Sequence, residues 1–148
     1  MLPAQSRRPA AGTIVTPAAT IDSELSLIES EMMGAVKAMP ADKFGFAPSQ
    51  AIFVPGQTTD FATVRTFAQQ ATHVAQANYF FANFVSGVKP DADLRAIAKL
   101  TSKDDVVAAL AAAWSDHRQA SVALGAAAFL ALLVLFRLHA TDTLGIAL

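Results

Sequence analysis

The chain of 148 residues contains no cysteine, and it has only seven glycines and seven prolines. The absence of cysteine excludes a disulfide framework, a thiolate metal site and a cysteine nucleophile. Hydrophobic residues make up 53% of the chain, many of them alanine, which is the best helix-forming residue. The composition therefore predicts an all-α domain rather than a β-sandwich.

The chain also lacks a concentration of positive charge. Its eleven lysine and arginine residues are scattered and the net charge is −1, so no basic stripe is available to neutralise phosphates, and we expect no nucleic-acid binding. The sequence contains no nucleophile elbow, phosphate-binding loop or dinucleotide fingerprint. Those enzyme classes therefore have no support in the sequence.

The first twenty residues differ from the rest. They include three prolines and one glycine and show no hydrophobic periodicity, which predicts a flexible N-terminal arm over 1–20 and a single helical domain over 21–148. The pair Arg7-Arg8 is not followed by the apolar run of a signal peptide. We therefore predict a cytoplasmic protein, with a membrane-anchored one as the alternative.

Apolar residues at spacings of three and four predict three helices. The first covers Asp22–Met39, capped by Asp22 or Ser23 and ended by Pro40. The second lies in Thr58–Val85, capped by Asp60 or Thr63, and we expect it at the centre of the bundle.

Three further features are predicted in addition to these two helices. The third helix begins at the capping pattern of Thr101, Ser102 and Asp105. The apolar connector between the first two helices, 40–57, is expected to lie over the bundle like a lid. An aromatic cluster near the end of the second helix is expected in the core: Tyr79, Phe80, Phe81 and Phe84.

Between Arg118 and Arg137 lie 18 uncharged residues that are apolar on all sides of a helix. At 1.5 Å per residue they span about 27 Å, close to the roughly 30 Å hydrocarbon core of a bilayer. A fully buried last helix, separated from the third by a break at Gly125, is the favoured interpretation. A membrane anchor formed by 119–136 is the alternative.

Four segments carry a resemblance to a known family. They are A-M-P-A-D-K-F-G-F-A-P (38–48), V-R-T-F-A-Q-Q-A-T-H-V-A-Q-A-N-Y-F-F (64–81), G-V-K-P (87–90) and S-K-D-D-V-V-A-A-L (102–110). Over about 21–124 the chain resembles the DinB-like family of bacterial four-helix bundles. The resemblance implies a four-helix bundle related to metal-dependent thiol transferases and hydrolases.

The resemblance also implies a site for a divalent metal of the zinc or nickel class, held by three histidines. One of them matches His73, and the other two form an H-x-x-x-H pair on the fourth helix, where this chain has only His139. His117 on the third helix is a further candidate ligand. With one ligand matched and the fourth helix atypical, we expect metal binding to be weak or absent; a change of reading frame in the gene would produce such an end.

Three functional hypotheses follow. The first is a metal-dependent transferase or hydrolase, with no substrate indicated. The second is a non-catalytic, truncated bundle that acts as a homodimer. The third is a helical domain that is anchored to a membrane by 119–136.

Overall fold

The computed structural model describes residues 10–52, 54–56 and 60–144, without the side chains of Phe136 and of residues 138–144. Within these ranges the protein is all-helical, as predicted, and contains no strand. The elements are α1 (Pro17–Ala38), α2 (Phe67–Ser86), the one-turn helix α3 (Leu94–Ile97) and α4 (Lys103–Leu144). Two 3₁₀ turns, Ala41–Lys43 and Gln50–Ile52, lie in the connector between α1 and α2.

Helix α1 begins five residues before the predicted start. Thr16 is its N-cap, and the Oγ1 atom of Thr16 accepts a hydrogen bond from the amide of Ala19 at 3.2 Å. Pro17 follows at the first helical position, where its missing N–H has no cost. The predicted caps Asp22 and Ser23 are therefore wrong, and residues 17–20 belong to the helix rather than to an arm.

Helix α2 is capped by Thr66, not by Asp60 or Thr63. The Oγ1 atom of Thr66 accepts from the amide of Gln69 at 3.2 Å, and the Gln69 side chain accepts from the Thr66 amide at 2.8 Å. This reciprocal pair is a capping box. The helix ends at Gly87, which adopts a positive φ of 70° that favours glycine.

The long helix α4 is the centre of the fold. Both α1 and α2 pack along it, whereas α1 and α2 hardly touch each other. The Lys103 ammonium donates to the carbonyls of Lys37 and Met39 at 2.6 and 2.9 Å, so α4 starts beside the end of α1 and runs antiparallel to it. The expectation that the second helix is central is therefore wrong.

Helix α2 runs parallel to α4. The connector holds the start of α2 at the end of α1, because the amides of Phe67 and Ala68 donate to the carbonyls of Phe46 and Phe44 at 2.8 and 2.9 Å. The Phe44 ring is buried and meets the Phe67 ring edge-on at 5.2 Å. Ile52, in contrast, is exposed, so only part of the predicted lid covers the bundle.

The hydrophobic core occupies the half of the bundle near the start of α4. Among the described side chains of α4, the buried apolar ones precede Arg118. Those of α1 lie in its second half. The core consists of Met33, Val36, Phe44, Ala68, Ala71, Ala75, Tyr79, Val106, Leu110, Ala113 and Trp114.

Helix α4 continues through Gly125 without the predicted break. A Cβ atom at Gly125 would lie 2.7 Å from Ile21 Cδ1 and 3.3 Å from Ala18 Cα. The glycine is therefore a close-packing point between α4 and the first turns of α1. In the described part of the chain, the expected fourth helix is a continuation of the third.

Candidate functional site

His73 lies on the exposed face of α2, away from the buried stripe of that helix. It lines an open groove of about 400 Å³. The other residues of the groove are Ala62, Thr63, Val64, Arg65, Gln69, Thr72, Gln76 and Ala98. None of them is a histidine or a carboxylate, and Arg65 brings a positive charge. The groove therefore supplies one ligand of the type that zinc or nickel requires.

His117 lies on the other side of α2, where α2 meets α4. Its Nδ1 atom is 3.2 Å from the Oδ1 atom of Asn78. His73 and Asn78 are five residues apart, so their side chains leave α2 about 140° apart. His73 and His117 are consequently on different sides of α2 and do not share a site.

The His117 ring is held by stacking as well as by this hydrogen bond. It stacks on Trp114 at 5.9 Å and on Phe81 at 6.1 Å between ring centroids. Burial among these groups lowers the pKa of His117, because the buried ring loses the water that would solvate its charged form. Because the Asn78 Oδ1 atom can only accept, this contact requires a proton on Nδ1 of the His117 ring.

Two donors beside this ring, Asn78 Nδ2 and Trp114 Nε1, are buried and have no hydrogen-bond partner among the described residues. An unpaired buried donor costs about 1–3 kcal/mol. Near them, burial and then the charge of Asp116 raise the pKa of Tyr79. This arrangement fits a structural contact between two helices better than an acid–base pair.

His139 lies within α4, and its side chain is outside the described part of the structure. Among the residues that the structure describes, no group of three histidine, aspartate or glutamate side chains could hold a metal ion. The donors present do not fit the three-histidine site that the resemblance implies. We therefore derive no chemical step through a metal.

Arg118 forms an ion cluster with α1. Its Nε atom is 3.1 Å from Asp22 Oδ1, and its Nη1 atom is 2.9 Å from Glu29 Oε2. The two carboxylates are seven residues apart and thus on one face of α1. Arg118 is also the last charged residue of α4 before the apolar stretch. In the sequence, this cluster could have been found from two carboxylates spaced by seven residues on the first helix and from the single arginine that precedes the apolar stretch.

Between Arg118 and Arg137, helix α4 is uncharged, and its described side chains after the contact with α1 at Gly125 are mostly exposed. By length and composition alone, the part Lys103–Leu135 of α4 could cross a membrane, and only 6% of its most apolar 18-residue window is buried. The exposed large side chains of this stretch are Leu124, Leu130, Leu132, Leu133, Val134 and Leu135. The predicted buried last helix is therefore wrong.

The aromatic residues at the end of α2 are also more exposed than predicted. Tyr79 is buried, but Phe80, Phe81 and Phe84 are 61%, 49% and 78% exposed. The expectation of an aromatic core cluster is thus wrong for these three. We expected all three in the core, but among the described residues no helix covers Phe80 and Phe84, and Phe81 is only partly covered by His117.

Comparison with protein families, with characterised proteins and with solved structures finds no match to this chain.

Proposed function

We propose that this protein is a DinB-like helical domain that is held at a membrane by the apolar second half of α4, residues 119–136. The observation that supports this proposal is that side chains on all sides of the second half of α4 are exposed to solvent. The six consecutive residues 130–135 are all exposed, and the five steps between them turn through about 500°. A helix that is apolar all round requires an apolar environment all round.

A bilayer meets this requirement better than a protein partner. The uncharged stretch is about 27 Å long, which nearly matches a hydrocarbon core. Arg118 and Arg137 stand at its two ends, where long cationic side chains reach the headgroups. A docked helix would cover only one face of α4 and leave the others in water.

The test is flotation of the full chain with phosphatidylcholine vesicles in a density gradient. We expect the protein to rise with the vesicles and to resist extraction by alkaline carbonate. Flotation distinguishes membrane insertion from aggregation, because aggregates sink. A protein that is soluble and monomeric without lipid or detergent would contradict the proposal.

The metal-dependent alternative has a separate test. His73 is the one matched ligand, and its groove offers no second histidine or carboxylate. We therefore expect the purified protein to carry no stoichiometric zinc or nickel by elemental analysis. One equivalent of metal that disappears in His73→Ala would contradict this expectation and restore the transferase or hydrolase hypothesis.

Self-association within the membrane is the second candidate. Ala123, Ala127 and Ala131 are exposed along one line of α4, and small residues spaced by four allow two membrane helices to approach closely. This line is compatible with the homodimer that we predict. In detergent micelles, we expect Ala127→Leu to shift a sedimenting dimer towards monomer, whereas Ala128→Leu, about 100° around the helix, should not. Equal behaviour of the two variants would refute this interface.

A further inference from the structure

The first two turns of the apolar stretch of α4 are not isolated. Residues 119–125 lie beside the start of α1, since Gly125 packs against Ala18 and Ile21. If α4 enters a membrane directly after Arg118, the neighbouring ends of α1 and α2 must enter the interface as well. The amino-acid composition and the solvent exposure of these two helix ends show whether they can enter the interface.

The segment that leads into α1 is uncharged from residue 9 to Ile21. Within its described part, Ile14 is 95% exposed and Val15 is 41% exposed. The next residue, Asp22, is bound to Arg118 at 3.1 Å. The charge on α1 therefore begins at the same level as the last charge on α4.

The end of α2 lies at the same level. The contact between Asn78 and His117 places these two residues at one height, and the two helices run parallel. Phe84 follows Asn78 by six residues, so it lies about 9 Å further along the bundle, beside the first turns of the apolar stretch. Phe84 is 78% exposed and Val88 is 68% exposed, and no charged residue occurs in 66–88.

We propose that the start of α1 and the end of α2 form a collar beside α4. This collar lies in the membrane interface and contacts lipid directly. The collar consists of 10–21 and of the exposed side chains Phe80, Phe84 and Val88. Along α2, Phe80 and Phe84 are about 6 Å apart, which is within the roughly 5–10 Å over which apolar groups insert into the boundary of headgroups and acyl chains. This inference rests on the proposed membrane anchor and adds the lipid contacts of α1 and α2.

The absence of native cysteine makes a site-by-site test direct, because each introduced cysteine is unique. Four single variants of the full chain are labelled with a nitrobenzoxadiazole fluorophore: Ile14→Cys and Phe84→Cys in the collar, Leu132→Cys in the span and Ile52→Cys in the connector. All four positions are exposed. Each labelled protein is reconstituted in phosphatidylcholine vesicles with spin-labelled lipid, with the nitroxide at acyl carbon 5 or carbon 12.

We expect the probes at Ile14 and Phe84 to be quenched at least twofold more by the carbon-5 nitroxide than the probe at Ile52. The probe at Leu132 should be quenched more by the carbon-12 nitroxide than either collar probe. Quenching at Leu132 without quenching at Ile14 and Phe84 would overturn the collar and leave the membrane anchor standing. No quenching at any of the four positions would overturn both.

Discussion

Two arginines in the middle of the apolar stretch should abolish membrane insertion. Residues 119–136 contain nine Leu, Val and Phe residues, each of which contributes about −0.3 to −0.6 kcal/mol at a membrane centre, or about −3 to −5 kcal/mol together. Ala128 lies nine residues before Arg137, about 14 Å from that end. An arginine at position 128 therefore lies at the middle of the uncharged stretch, about 15 Å from Arg118 and about 14 Å from Arg137.

One arginine near the centre costs about 2.5–3.5 kcal/mol. Leu132→Arg adds a smaller penalty nearer the end of the stretch and removes one apolar side chain. Together Ala128→Arg and Leu132→Arg cost about 5 kcal/mol, which cancels the favourable term and lowers the membrane partition about 10³- to 10⁴-fold. In the flotation assay, the double variant should stay at the bottom of the gradient.

The matched control carries the same added charge in the connector, as Ile52→Arg with Val54→Arg. These side chains are 57% and 64% exposed and lie outside the apolar stretch, so the control should float like the original protein. Circular dichroism checks that both double variants remain helical. A central double variant that floats as well as the control would refute the membrane assignment of 119–136.

Two further predictions concern the packed half of the bundle. Leu110 is fully buried, so Leu110→Ala should lower the free energy of unfolding by about 2–5 kcal/mol in urea titrations, whereas Leu27→Ala, at a 39% exposed position, should change it by less than about 0.5 kcal/mol. Because burial lowers the pKa of His117, the unfolded chain takes up this proton first as the pH falls below about 6.5, and stability decreases. His117→Gln should reduce the difference between the urea midpoints at pH 7.5 and 5.5; an unchanged difference would contradict this assignment.

The sequence predicted helix content and helix stops more reliably than helix starts. Pro40 and Gly87 determine backbone geometry locally, and α1 and α2 end next to them as expected. The starts depended on which of several Ser, Thr and Asp residues is used as the cap. For α1, Thr16 followed by Pro17 replaces Asp22, which is engaged instead with Arg118.

The sequence could place each candidate residue on its own helix, but it could not place the candidate residues relative to one another. The resemblance singled out His73 on the second helix, and the structure places this residue on the exposed face of α2. The packing of neighbouring helices is not encoded by the period of a single helix. The interpretation of 119–136 as buried therefore assumed that other helices would surround it, and the described residues supply only the start of α1 at Gly125.

Two independent costs determine where the membrane boundary lies along the bundle. If the hydrocarbon began before Arg118, the carboxylates of Asp22 and Glu29 and the guanidinium of Arg118 would leave water, at several kcal/mol per ion and with one negative charge uncompensated. If it began beyond Gly125, the exposed side chains of Leu124 and Phe84 would remain in water. The first cost places the boundary after Arg118 and the second places it before Gly125. These limits are about 10 Å apart along α4, and the exposed apolar residues at the ends of α1 and α2 lie in this interval.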